Sequence, residues 1–416
     1  MKAKGRTLLM GKFAALAVLL FGSFVSWFVF SQSVKSSHRR IQTPVPEHVV
    51  LTSSINAVLV PTPPRGSCDL SRGNWVPDPS SHLLYTNSCS FIQSNQNCIS
   101  NGRPDSGYLY WRWSPRECEL PRLDARRFLG IMRDKSLALV GDSISRNHAQ
   151  SLLCILSSVE EPRETYHDDE YKSMRWLFHS HNFSLSIVWS PFLMKAAVFE
   201  DNHGVSSSEV ELHLDRLDTK WTSAFPTWDY VVISTGAWYS KYSVYFENDL
   251  AVGCHRCDRS RRNVTDMGFD YAYRISLSRV FKFITKSGHR GQVFYRTSSP
   301  DHFENAEWNH GGTCERTEPS REDEVELKAL GRMLHETELE EFERAAEEAN
   351  RNGINLKLLD VMSLSLMRPD GHPGPYMRSH PFEKGKDARV QNDCLHWCLP
   401  GPIDTWNDVM MQILQT

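Results

Sequence analysis

A wholly apolar run that ends on glycine, aspartate and serine constrains this chain more than any other stretch. Leu137, Ala138, Leu139 and Val140 present no polar face, the pattern of a strand buried on both sides of a parallel sheet. Gly141 and Asp142 interrupt the run. Ala149, Leu152, Leu153, Leu156 and Val159 then recur at helical spacing, which predicts strand, sharp turn and helix, with Ser143 at the turn. In an open α/β sheet, ligands bind beyond the carboxyl ends of the strands. The adjoining helix start leaves backbone N–H groups unpaired and partly positive. A serine placed there can attack a carbonyl while those N–H groups receive the oxyanion. The plain alternative is a turn followed by a helix cap, because all three residues favour such places.

The same architecture extends along the chain. Strands are expected at 183–189, 230–233, 293–295 and 355–360, with helical segments between several of them. Residues 322–352 are rich in Glu and Arg, carry Leu327, Leu330, Leu334 and Leu339, and stop at Gly353, which predicts a largely exposed amphipathic helix. Strands alternating with helices point to a doubly wound α/β sheet.

With 416 residues, 40% hydrophobic and 23% charged, the chain is globular, and a net charge of -3 argues against a nucleic-acid partner. Twelve tryptophans are many; they fill a core by default, although indole faces also stack on sugars. Residues 13–30 are uncharged and mostly apolar, reaching about 27 Å as a helix against a hydrocarbon core of about 30 Å. They end on Trp27, Phe28, Val29 and Phe30 without a small-residue cleavage site, which favours an uncleaved membrane anchor over a signal peptide. Residues 1–12 are then a cytosolic tail and 31–66 a Pro- and Ser-rich stem. Residues 67–124 form a Cys- and Trp-rich subdomain ahead of an α/β domain at 125–416. All ten cysteines follow the anchor, which reads as disulfides in an oxidising compartment. Asn182 and Asn263 begin glycosylation sequons.

Near the C-terminus, Asp393 and His396 stand three apart, a spacing that lets both lie on one side of a turn. A carboxylate bonded to imidazole Nδ1 leaves Nε2 as a base for a hydroxyl, and such sets are assembled by folding, so Ser143 is the natural third member. The unremarkable reading is a surface turn. Cys394 and Cys398 flank His396 and could pin it to the body. With Cys254, His255 and Cys257 they could instead form a zinc site, which an oxidising compartment disfavours. The loop from Arg296 to Cys314 should emerge at the same sheet edge as Ser143, offering His302, Trp308, Asn309 and His310 as a binding surface.

Taken together, Gly73-Asn74-Trp75, Gly141-Asp142-Ser143, Ser299-Pro300-Asp301-His302-Phe303, Trp308-Asn309-His310-Gly311-Gly312, Asp370-Gly371-His372-Pro373 and Asp393-Cys394-Leu395-His396 resemble the plant trichome birefringence-like family of polysaccharide O-acetyltransferases, from Cys68 to the C-terminus. That resemblance implies an SGNH/GDSL-hydrolase-like three-layer α/β/α domain, a single-pass type II Golgi protein with a lumenal body, and Ser143, His396 and Asp393 as nucleophile, base and orienting acid. It also implies the pairs Cys68 with Cys118, Cys89 with Cys154, Cys98 with Cys398 and Cys314 with Cys394. Cys254 and Cys257 are left to pair across a short gap or to stay free. Where many family members have Asn before a Thr-Gly-x-Trp motif, this chain has Ser234, closest to the branch acting on xyloglucan and mannan. Ser143 N–H is the first choice for the oxyanion, followed by Gly236, Arg146 and Asn147.

These expectations converge on acetyl transfer to a hemicellulose, with xyloglucan ahead of mannan or glucomannan. No cofactor is expected to stay bound; an acetyl donor is required, acetyl-CoA being the expectation. An acetylesterase using the same residues and a non-catalytic glycan-binding wall protein are the alternatives.

Overall fold

A computed structural model describes residues 68–79, 83–197, 209–257, 263–383 and 390–415. The expected anchor and stem lie outside these residues, and no helix among the described residues is long and apolar enough to cross a membrane. Strands β1 (Gly73–Pro77) and β2 (Trp111–Pro115) pair antiparallel near the start. The main sheet comprises β3 (Ser136–Gly141), β4 (Arg163–His167), β5 (Met174–Phe178), β6 (Phe183–Trp189), β9 (Tyr230–Ile233), β12 (Gln292–Arg296) and β13 (Asn355–Leu359). A smaller sheet holds β7 (Met194–Ala197), β8 (Val210–Leu217), β10 (Ser243–Glu247) and β11 (Leu250–His255).

In the main sheet the order is β13-β12-β9-β3-β6-β5-β4. The first five of these are mutually parallel, and β5 and β4 add an antiparallel edge. All five expected strands form, within a residue or two at their ends. The helices are α1 (Ala125–Ile131), α2 (Ser143–Ser157), α3 (Thr219–Thr222), α4 (Gly268–Lys286), α5 (Ala329–Asn352), α6 (Met362–Leu366) and α7 (Asp404–Leu414).

The alternation of side chains along β3 divides the core in two. Leu137 and Leu139 join one apolar cluster with residues of α1, α2 and α7, whereas Ala138 and Val140 join another with residues of α4 and α5. Helices therefore cover both faces, and the strand that leads to Ser143 is sealed on each side. Because β3, β6, β9 and β12 run parallel, the segments following each emerge at one edge.

One helix is shorter than its sequence predicts. Residues 322–324 form a separate single turn in which the Arg321 N–H donates to the Glu324 carboxylate at 3.0 Å, and Val325 is extended. Lys328 Nζ then bonds Asp301 Oδ1 at 2.7 Å and the Phe303 carbonyl at 2.8 Å, so α5 starts only at Ala329. Its inner face is not purely apolar: Glu338 is fully buried.

Candidate active site

Gly141 closes β3 with a φ of 155° and no room for a side chain; a Cβ would stand 2.2 Å from the Ser234 carbonyl. Asp142 caps α2, its Oδ1 accepting from Ile144 N–H at 3.0 Å and Ser145 N–H at 3.4 Å. Two of the orphan N–H groups of the first turn are thus taken, and that of Ser143 is left over, directed by the helix start. Ser143 itself is half-buried.

Burial pushes the Asp142 carboxyl upward in pKa, opposed chiefly by the Arg296 guanidinium. Arg296, the last residue of β12, is 1% exposed. It donates to Ser234 Oγ at 2.5 Å, Ser145 Oγ at 3.4 Å and the Ile144 carbonyl at 3.5 Å, and it lies over the Trp406 ring at 4.9 Å. Burial lowers its pKa to about 10, with Asp142 and Glu338 resisting that fall. A buried cation therefore sits under the serine turn, joined to Ser234, which is itself 1% exposed.

Asp393 and His396 come together as their spacing suggests. Asp393 Oδ1 accepts from the main-chain N–H groups of Leu395 at 3.1 Å and His396 at 2.9 Å, and Oδ2 lies 2.8 Å from His396 Nδ1. Burial would raise the Asp393 pKa, yet the His396 charge and these bonds bring it down to about 2. Burial would likewise lower that of His396, and Asp393 outweighs it, holding the imidazole above its ordinary value.

This loop is docked against the serine helix. Asn147, fully buried one turn after Ser143, accepts from Trp397 N–H at 2.8 Å and donates to the Trp397 carbonyl at 3.3 Å. His396 also lies within electrostatic reach of Asp142 and Arg146, the residues on either side of the serine turn. Among the described residues, neither Ser143 Oγ nor His396 Nε2 is tied up in a protein hydrogen bond. On the far side, Asp393 pairs its main chain with Gly374. Disulfides Cys314–Cys394 and Cys98–Cys398 bracket His396.

Residues 120–413 match the PC-Esterase family, described as a GDSL/SGNH-like acyl-esterase family found in Pmr5 and Cas1p. The chain belongs to this family. Its preceding segment, residues 66–119, matches the PMR5 N-terminal domain. Protein trichome birefringence-like 23 of Arabidopsis thaliana is 56% identical over 348 residues, 83% of this chain and 80% of the relative. Protein trichome birefringence-like 26 of the same plant is 46% identical over 399 residues, 94% and 86% of the two chains. Xyloglucan O-acetyltransferase 1 of Arabidopsis thaliana is 44% identical over 351 residues, 84% and 80%.

Within this PC-esterase chain, the oxyanion candidates separate by burial. Ser143 N–H stands at the helix start. Gly236 lies just beyond β9, so close to Ser298 that a Cβ would come within 2.8 Å of it. Arg146 is half-buried, its guanidinium 5.3 Å from the Trp189 ring centroid. Asn147 is sealed from solvent and its amide bonds both main-chain groups of Trp397, as a brace does. Trp189 and Trp238, from the segments flanking β3, meet edge to face at 5.5 Å and form one wall beside Arg146. A cavity of about 190 Å³ is lined by Ala237, Ser298, Pro300, His302, Leu334 and Leu395 among others.

Of the expected binding loop, Trp308 is 55% exposed and His310 is exposed, whereas His302 is half-buried against His372. Asn182 and Asn263 are both exposed. Five disulfides are present: Cys68–Cys118, Cys89–Cys154, Cys98–Cys398, Cys314–Cys394 and Cys254–Cys257. The sulfurs of the zinc alternative, Cys254, Cys257, Cys394 and Cys398, are therefore all oxidised, and no thiolate remains there to bind a metal. Sequence reasoning missed Arg296 and Glu338. A charge closing an otherwise apolar strand, as in Val293-Phe294-Tyr295-Arg296, is the signal that marks the first; Glu338 has none. Buried Glu338, its pKa raised to about 7 by burial, receives Tyr273 and Tyr295 hydroxyls and the Ser298 main chain.

Proposed function

We propose that this protein is a plant polysaccharide O-acetyltransferase working through an acetyl-serine intermediate. The observation that carries the reading is the Asp393–His396 pair on a loop that Asn147 docks onto the helix opened by Ser143. His396 takes the Ser143 proton as Oγ attacks the acetyl carbonyl of the donor, and the Ser143 N–H steadies the oxyanion as the donor's leaving group departs with the proton. A sugar hydroxyl, deprotonated by the same His396, then attacks the acetyl-serine and regenerates Ser143. Gly236 and Arg146 are further candidates for the oxyanion. Acetyl-CoA is the first donor to test.

The names of relatives support a hemicellulose acceptor, xyloglucan first; mannan or glucomannan is the second acceptor to test. The uncharged apolar run at 13–30 and five disulfides support an N-terminal anchor and a lumenal, Golgi-type setting for the body, with glycans on Asn182 and Asn263. The test is to incubate the protein and its Ser143→Ala variant with acetyl-CoA and xyloglucan oligosaccharides and weigh the products by mass spectrometry. Acetylated oligosaccharide from the wild type alone is expected. Undiminished transfer by a folded Ser143→Ala variant would remove the nucleophile, and acetate release without transfer would make the protein an esterase.

A further inference from the structure

His302 and His372 stand in line between two main-chain carbonyls. His302 Nε2 lies 2.9 Å from the Leu366 oxygen, His302 Nδ1 lies 2.7 Å from His372 Nε2, and His372 Nδ1 lies 2.7 Å from the His396 oxygen. A carbonyl only accepts, so the ring nitrogen at each end must carry a proton to bond it. Three bonds require three protons, and two neutral imidazoles bring two. Two protons satisfy two of the three bonds, either the pair that ends on the Leu366 carbonyl or the pair that ends on the His396 carbonyl; in the second, His302 donates from Nδ1 to His372 Nε2, and His372 donates from Nδ1 to the His396 carbonyl. A third proton, on His302 Nε2, would close the bond to Leu366 and give the pair one positive charge.

The surroundings decide when that third proton binds. Asp301, Asp370 and Lys328 face His302, while Asp393 and Arg103 face His372. Burial opposes the charge and holds both rings below the ordinary histidine value, so the extra proton belongs to acid conditions. The two-proton row is the form present where His396 is neutral, and the bond to the His396 carbonyl is kept there only in the arrangement that donates toward His396. Trp397 supports the geometry, its ring centroid 4.3 Å from that of His372.

We propose that His302 and His372 are positioning residues for His396: the Nδ1–H of His372 clamps the main-chain carbonyl of the base, and His302 fixes the tautomer that permits it. Asp393 already holds the N–H and ring Nδ1 of His396, and Asn147 holds both main-chain groups of Trp397. The carbonyl of His396 completes the set, and the row leaves Nε2 without a protein partner. Such outer partners hold a reacting group in its working geometry. The inference rests on His396 serving as the base.

Two substitutions separate clamping from packing. His372→Phe keeps a ring against Trp397 and loses the donor; His372→Asn loses the ring and can present an amide N–H where Nδ1 stood. Acetyl-transfer kinetics of the full chain should show His372→Phe reduced roughly 10- to 100-fold in kcat with KM unchanged. His372→Asn should recover most of that loss despite a lower Tm. The reverse order, full kcat in Phe and loss in Asn following its Tm, would make the histidine a packing residue. Should His372→Phe fail to fold, ¹⁵N spectra of the histidine-labelled wild type still decide, because the proposal requires His372 as the Nδ1–H tautomer near neutral pH and the Nε2–H tautomer overturns it. Ser143→Ala assayed alongside keeps the two readings apart: activity there removes the proposed chemistry, whereas an inactive Ser143→Ala with a fully active His372→Phe removes only the clamp.

Discussion

Asn147 grips Trp397 by both main-chain groups, accepting its N–H at 2.8 Å and donating to its carbonyl at 3.3 Å. These residues lie 250 positions apart, and the grip is what brings the neighbour of His396 to the helix of Ser143. Asn147→Ala should leave two buried main-chain groups without partners, at about 1–3 kcal/mol each. Urea unfolding and kcat measured on the same preparation should both fall; a stable variant with unimpaired transfer would show that the loop holds its place without Asn147.

In the proposed reaction His396 must begin neutral. Its pKa is raised, with Asp393 outweighing burial, so kcat/KM should climb as pH rises through a value above 6.5. Asp393→Asn should shift that limb to lower pH and depress the plateau by about 10⁴-fold. The histidine's own contribution to stability has the opposite sign. A histidine with a raised folded pKa stabilises fully below its unfolded value, and that contribution is lost as pH rises through the folded value. Activity profiles and chemical denaturation across this window check both halves, and an acid limb that stays put in Asp393→Asn would contradict the assignment.

Arg296 offsets the buried charge of Asp142 beneath the serine turn. Arg296→Met should cost about 3–5 kcal/mol, because it strands a buried carboxylate and empties the hydrogen bonds to Ser234 and Ser145. Arg296→Lys should rescue only part of this, since an ammonium cannot span three acceptors as a planar fork does. Melting temperatures of the two variants test the order.

The disulfides should differ in worth. Cys98–Cys398 spans 300 residues and Cys254–Cys257 only 3. Replacing the first pair by serines should cost about 2–5 kcal/mol and lower kcat by freeing the loop of His396, whereas replacing the second should change unfolding little. Equal losses from both would argue that loop length is not what matters here.

Much of this architecture was legible because parallel strands buried on both faces announce themselves as unbroken apolar runs, as at Leu137–Val140 and Tyr230–Ile233. Strands at a sheet edge or with one polar face do not. Arg163–His167 is exposed along its whole length, and Val210, Leu212 and Leu214 alternate with polar residues, so the sheet edge and the second sheet escaped notice. Ser143, Asp393 and His396 were visible from residue type and spacing together. Arg296 and Glu338 were not, because what makes them matter is burial against partners far away in sequence. His372 stood within a recognised motif, yet its place between His302 and the carbonyl of His396 exists only in three dimensions.

The bond between Cys98 and Cys398 sets an order of events in biosynthesis. His396 is made long after Ser143, and its loop is fastened through Cys398 to a cysteine 300 residues earlier. In the proposed reaction, the serine is therefore made long before its base. On the proposed reading, transfer competence waits for the Asp393–His396 loop to be made and for Cys98 and Cys398 to be oxidised, and a stop codon at or before position 396 would leave a protein with its nucleophile and no base.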